Sequence, residues 1–205
     1  MRTSISIDKF GWLRGLDYKK LIIAAFLFRF ILASGYDIFV SVSGKDILLP
    51  DSPFYSTIGR YIALSLNGYS QDSLTKDMIP SYQFNLATFY DILINKKAYF
   101  GARLDEGIIY NYLLGIIYFI FGYFPLAVRA FNIFLSIVST YLIFNIAKKQ
   151  FGELIANIFL LIGLFLPTQV IYSVTLSRDF LRMFMVSAIL WLIYGGVLWP
   201  RRQRA

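Results

Sequence analysis

Apolar positions in this chain do not alternate at a short period. They gather into long runs separated by short basic or turn-forming stretches. The first run, Leu21 to about Val42, carries only Arg29 and Asp37 as charges. It is long enough to cross a bilayer, which takes roughly 20 apolar residues in a helix. Comparable runs follow at about Leu126 to Ala147, Leu154 to Leu176 and Phe180 to Trp199, with Pro167 expected to kink the middle one. Between the first and second runs, residues 43–125 form a long and mostly polar excursion. Within it Ser52-Pro53 reads as a helix start, because Pro is tolerated at the first helical position and Ser can cap it. Phe54, Ile58, Tyr61, Ile62 and Ser65 or Leu66 recur at near-helical spacing, with Thr57 and Arg60 off the stripe. That pattern predicts an amphipathic helix near 53–67 lying on a membrane, closed by Asn67-Gly68. Residues 69–80 read as loop, Phe84 to Leu93 as a second short surface helix, and 107–121 as an apolar piece rich in Tyr.

The fold class that follows is an all-α integral membrane protein. It has about four transmembrane helices (21–42, 126–147, 154–176, 180–199), plus two or three juxtamembrane amphipathic helices in a long first outer loop. Composition agrees: 58% hydrophobic residues, 16% charged, and a mean hydropathy of +0.61 exclude an ordinary soluble domain. The formal charge of +8 invites a nucleic-acid reading, but its placement does not. Lys and Arg cluster at Arg2 to Lys20, Lys148-Lys149 and Arg201-Arg202-Arg204, each beside an apolar run. This is the bias of cytoplasmic loops, reinforced by attraction to anionic headgroups.

The same bias chooses a topology. If 107–121 crossed the membrane, Lys148-Lys149 and the C-terminal arginines would fall outside; if it lies in the interface, both clusters are cytoplasmic. The second option is expected: residues 1–20 a cytoplasmic lead, 200–205 a cytoplasmic tail, and both termini inside a multi-pass protein of the plasma (inner) membrane. Asp51, Asp105-Glu106, Arg178-Asp179 and Asp37 then come to the outer face. Charge inside a membrane points to function by default, yet Arg29 could equally snorkel to the cytoplasmic face or face a polar bundle interior. Arg129 is expected mainly to anchor a span end at the outer headgroups. With no Cys and no His, any general base or metal ligand is Asp or Glu, and no His- or Cys-ligated metal site can form.

Pro50-Asp51-x-x-x-Tyr55, then Ala63 and Asn67-Gly68, resembles the first outer loop of the GT-C membrane glycosyltransferases, such as aminoarabinose transferases and protein O-mannosyltransferases. The likeness continues in order. Asp105-Glu106 precedes a helix ending Phe121-Gly122; Ala127 to Asn132 opens a span; Lys148 to Gly152 separates two spans; Ser177-Arg178-Asp179 leads into the next. It covers about residues 20–199 and matches the N-terminal half of such enzymes. It implies transfer of a sugar from a polyprenyl-phosphate donor to an acceptor on the outer face, with Asp51 as catalytic base. It further implies substrate-binding roles for Tyr55, Arg103, Asp105, Glu106, Arg178 and Asp179, with arginines suited to the donor phosphate. Asp105 and Asp179 would be the carboxylates to hold a divalent cation, Mg or Mn. Ser52 stands where the family often has a second acid, and Glu106-Gly107 where it often has a basic residue and Pro. The implied partners are membrane lipid, the polyprenyl-phosphate donor and a second chain supplying further helices.

Two other classes compete. One is a non-catalytic membrane subunit or lipid-binding scaffold. The other is a small transporter, ranked last because Pro167 stands alone rather than in repeated broken segments.

Overall fold

The computed structural model describes residues 15–43, 52–68 and 101–194, with the side chains of 52–54, 57, 61, 65 and 101–108 left out. Every regular element among them is helical: α1 (Tyr18–Ser43), α2 (Ser52–Leu66), α3 (Gly101–Phe121), α4 (Pro125–Phe151), α5 (Glu153–Phe165), α6 (Pro167–Ser173) and α7 (Asp179–Tyr194). The chain forms two compact units, one of residues 1–48 with 129–205, the other of residues 49–128. The helix expected over Phe84 to Leu93 lies outside the described residues.

Local chemistry moves several helix ends away from where hydropathy put them. α1 begins three residues before the apolar run because Asp17 caps it, accepting the backbone N–H groups of Lys19 (3.1 Å) and Lys20 (3.4 Å). The bond from Lys20 leads in holding the Asp17 carboxyl below its ordinary value. α3 starts at Gly101 rather than 107, since Arg103, Leu104 and Glu106 favour helix and extend it ahead of the apolar part. α4 runs past Ala147 through Lys148, Lys149 and Gln150 until Gly152, at φ 89°, ends the helical path. α2 stops at Asn67-Gly68: Asn67 Nδ2 and its backbone N–H both reach the Ala63 carbonyl, and Gly68 turns at φ 81°.

In the first unit α1 and α4 are antiparallel. Tyr18 stacks on Tyr141 near the start of α1 (6.2 Å), Arg29 bonds Ser136 at its middle, and Asp37 meets Arg129 further on. Lys19-Lys20 and Lys148-Lys149 therefore share one end, and the chain leaves α1 and re-enters α4 at the other. Both helices are long and apolar enough to span a bilayer. α5 and α6 together are a third candidate, bent by 48° at the Leu166-Pro167 break. The fourth predicted span is helical from Asp179 to Tyr194, 16 residues, and its remainder lies outside the described residues.

The second unit is the crossing of α2 with α3. Among the described side chains of α2, Tyr55, Ile58 and Ala63 are buried, and Ile62 packs on α3 at Gly115. Glycine sets how closely the two helices cross. A Cβ on Gly59 would lie 2.7 Å from Leu114 Cβ, and one on Gly115 2.7 Å from Ile62 Cβ. Small residues let the two backbones approach, which is how helices associate where lipid removes the hydrophobic drive. Tyr110, Asn111, Leu114 and Tyr118 are the buried face of α3, while Ile109, Tyr112, Ile116 and Ile120 stay exposed.

Gly115→Val is expected to cost about 1–3 kcal/mol through overpacking. Gly35→Ala serves as the control, because a Cβ there meets nothing within 4 Å. Thermal unfolding in detergent, variant against wild type, measures both.

Candidate functional site

A buried backbone carbonyl is out of reach of water, so a helix break in a packed interior must be satisfied by other groups. Pro167 makes such a break: it has no N–H for the Gly163 carbonyl and forces Leu166 to φ −59°, ψ 125°. The backbone bonds across the break are Leu166 N–H to the Ile162 carbonyl (2.8 Å) and Val170 N–H to the Leu166 carbonyl (3.0 Å), which bypass Gly163 and Leu164.

Arg29 fills the gap. Its Nη2 donates to the carbonyls of Leu164 (2.7 Å) and Gly163 (3.1 Å), and its Nη1 donates to Ser136 Oγ (2.7 Å). The side chain is wholly buried, so of the two readings open for it the bundle interior holds and snorkelling does not. No carboxylate among the described residues pairs with it. Its charge instead meets the negative end of α5, worth roughly half a unit charge. Gly163 also lets α5 close on α4, since a Cβ there would collide with Thr140. Ala25 and Ala33, both fully buried, flank Arg29 one turn to either side and keep the α1 face narrow.

A second arginine does similar work at the far end of the same broken helix. Arg129 Nη1 donates to the Val174 carbonyl (2.8 Å), where α6 ends, and its Nε donates to Asp37 Oδ1 at 3.1 Å. Its guanidinium also lies 5.0 Å from the ring centre of Tyr36. Three residues along α4, Asn132 Nδ2 donates to the Thr175 carbonyl (2.8 Å). Arg129 is 2% exposed, which corrects its expected role as a headgroup anchor: a cation this buried is held by an acid and a carbonyl, not by solvent. Along α4 the polar residues Arg129, Asn132, Ser136 and Ser139 are all buried and fall at helical spacing, a seam facing the interior. The Asp37–Arg129 pair was missed as a pair by the sequence reading. The available signal was two opposite charges at matching depth in neighbouring antiparallel helices.

The residues named from the sequence are distributed otherwise. Asp51 lies outside the described residues, and so do the side chains of Arg103, Asp105 and Glu106 on α3. Tyr55 is buried edge-on against Tyr110, with ring centres 5.4 Å apart. Close by, Ser56 Oγ lies 3.0 Å from the Tyr123 hydroxyl and 3.2 Å from that of Tyr118, and Arg60 stacks on Tyr123. Asp179 works locally: its backbone N–H donates to Ser177 Oγ (3.2 Å), Ser177 Oγ donates to Asp179 Oδ2 (2.9 Å), and Arg182 pairs at 3.7 Å. Arg178 precedes it at the start of α7, partly exposed, and its carbonyl accepts the Arg182 N–H. Among the described residues no three carboxylates gather as a metal site would require.

No protein-family model, no curated protein and no solved structure matches this chain.

Removing the acid of the Asp37–Arg129 pair strands a buried cation, whereas removing the arginine leaves a carboxylate that is a quarter exposed. Asp37→Ala is therefore expected to cost about 3 kcal/mol, more than Arg129→Leu, and the double variant to be more stable than Asp37→Ala alone. Unfolding midpoints of the three variants in detergent decide it; an unperturbed Asp37→Ala contradicts the pairing.

Proposed function

We propose that this chain is a membrane glycosyltransferase, or the N-terminal portion of one, that moves a sugar from a polyprenyl-phosphate donor to an acceptor at the outer membrane face. One observation carries the reading. Asp37, Arg129 and the Val174–Asp179 turn share one end of the first unit, and at that end the segment containing Asp51 leaves α1 and returns through α4. That Asp37 and Arg129, distant in sequence, pair at this end supports the reading.

In this reading four helices cross the membrane, with α5 and α6 as one broken span and α7 continuing as the fourth. The basic ends Lys19-Lys20 and Lys148-Lys149 face the cytoplasm together, as the positive-inside bias requires. Residues 44–124 return to the face they left, so they cross an even number of times. The apolar part of α3, Ile109–Phe121, is shorter than a span and lies in the interface.

The chemistry is an inverting displacement. Asp51 takes the proton of the acceptor hydroxyl as its oxygen attacks the anomeric carbon; the new carbon–oxygen bond forms while the bond to the donor phosphate breaks, and the polyprenyl phosphate leaves as the anion. Arg103 and Arg178 hold the phosphate, where a guanidinium pairs in bidentate fashion. Asp105 with Asp179 orients the acceptor or holds Mg or Mn, and Tyr55, packed on Tyr110, takes part in binding substrate. A second reading, a non-catalytic subunit or lipid-binding scaffold, is favoured by the structural employment of Asp37, Arg29, Arg129 and Asp179 in the protein's own bonds.

Turnover separates the two. Purified full chain, with any co-purifying partner chain, is given a polyprenyl-phosphate sugar donor, and Asp51→Asn is expected to lower transfer at least 100-fold, the reach of a general base. Undiminished transfer removes Asp51 as base; donor binding without transfer in the wild type supports the scaffold.

Topology has its own check. The chain has no native cysteine, so single cysteines at Ser52 and Lys149 report cleanly. An impermeant maleimide applied outside is expected to label the first and spare the second.

A further inference from the structure

The most unusual pairing in the molecule joins two residues 138 positions apart in sequence that do not touch through their side chains: Pro167 removes a hydrogen bond, and Arg29 supplies its replacement from another helix. We propose that Arg29 and Pro167 form one conformational device, a broken span capped by a buried arginine. Its purpose is to hold the bend that delivers the Val174-Thr175 turn to Arg129 and Asn132.

The physical reasoning has three steps. First, a straight helix through residue 167 would bond the Gly163 and Leu164 carbonyls internally and leave nothing for Arg29 to bind. With Pro at 167 those carbonyls are released. In a dry interior each released carbonyl costs up to several kcal/mol unless met. Second, a forked cation suits the geometry: the two terminal nitrogens of Arg29 reach three acceptors (Gly163 O, Leu164 O and Ser136 Oγ) at 2.7–3.1 Å. Third, the 48° bend redirects α6, and at its end Val174 and Thr175 present their carbonyls to Arg129 and Asn132. Thr175 is fully buried there. The cap in mid-helix and the polar anchor at the end of α6 are thus coupled through seven helical residues, Pro167–Ser173. Among the described residues the two terminal nitrogens of Arg29 make its hydrogen bonds, and its Nε makes none.

The device makes each residue the suppressor of the other. Arg29→Leu strands two carbonyls and is expected to lower Tm by on the order of 10 °C. Pro167→Ala restores an N–H for Gly163 and straightens the helix. The double variant Arg29→Leu/Pro167→Ala is therefore expected to recover at least half of the stability lost in Arg29→Leu. It should do so without recovering the bend. A cysteine at Thr175, in a protein with none of its own, reads the bend through its rate of maleimide labelling in phosphatidylglycerol/phosphatidylethanolamine nanodiscs. Wild type is expected to be protected, and the stable double variant to label several-fold faster. Should Arg29→Leu fail to fold, Arg29→Lys replaces it in both measurements; it is expected to show a smaller loss of Tm and intermediate labelling. Strictly additive losses in the double variant overturn the proposal, and so does a double variant labelled as slowly as wild type. Both readouts use the full chain and neither depends on transferase activity.

Discussion

Two backbone carbonyls, those of Gly163 and Leu164, impose the central constraint on this protein. Pro167 frees them in the middle of an apolar helix, where no water competes for them, and the rest of the first unit is arranged to meet that need. Arg29 meets it from α1, and once an arginine stands in the bundle interior its surroundings follow. Alanines one turn above and below give it room, Ser136 takes its second terminal nitrogen, and glycine at 163 lets the helices close around it. The arrangement has a net positive charge opposed by helix-end carbonyls rather than by a carboxylate. Such a balance favours a fixed scaffold over a titrating switch, since a guanidinium does not give up its proton in a protein.

Toward the end where the chain leaves α1, the logic is repeated with an acid added. Arg129 caps the end of α6 as Arg29 caps the end of α5, and Asp37, partly exposed, joins it. Together the two arginines hold the C-terminal ends of α5 and α6. The turn that follows carries Ser177, Arg178 and Asp179, and its position is a consequence of that grip. In the second unit glycine has the organising role, by letting α2 and α3 cross at backbone distance.

Much of this was legible beforehand. Run lengths placed the long helices, Ser52-Pro53 and Asn67-Gly68 bounded α2 to within a residue, and Pro167 marked the bend. The helix ends that moved did so through capping and propensity, at Asp17, Arg103 and Gly152, to which hydropathy is blind. The close crossing of α2 with α3 was not legible for a related reason: a hydrophobic stripe weighs large side chains, whereas Gly59 and Gly115 act by having none. For the site, the charged residues were named individually, but Arg129 was assigned to headgroups, because its partners come from α1 and from the end of α6.

By itself, then, the sequence determined the class of molecule, an all-helical membrane-associated chain, and the approximate extent and polarity of its elements. Those properties depend on neighbours along the chain: run length, charge clusters, and the covalent peculiarities of Pro and Gly. Only the tertiary structure decided what the buried charges bind. Whether Arg29 reaches water or a carbonyl depends on which helix faces it and at what depth. No local pattern records that Pro167 leaves a debt of hydrogen bonds that residue 29 is placed to settle.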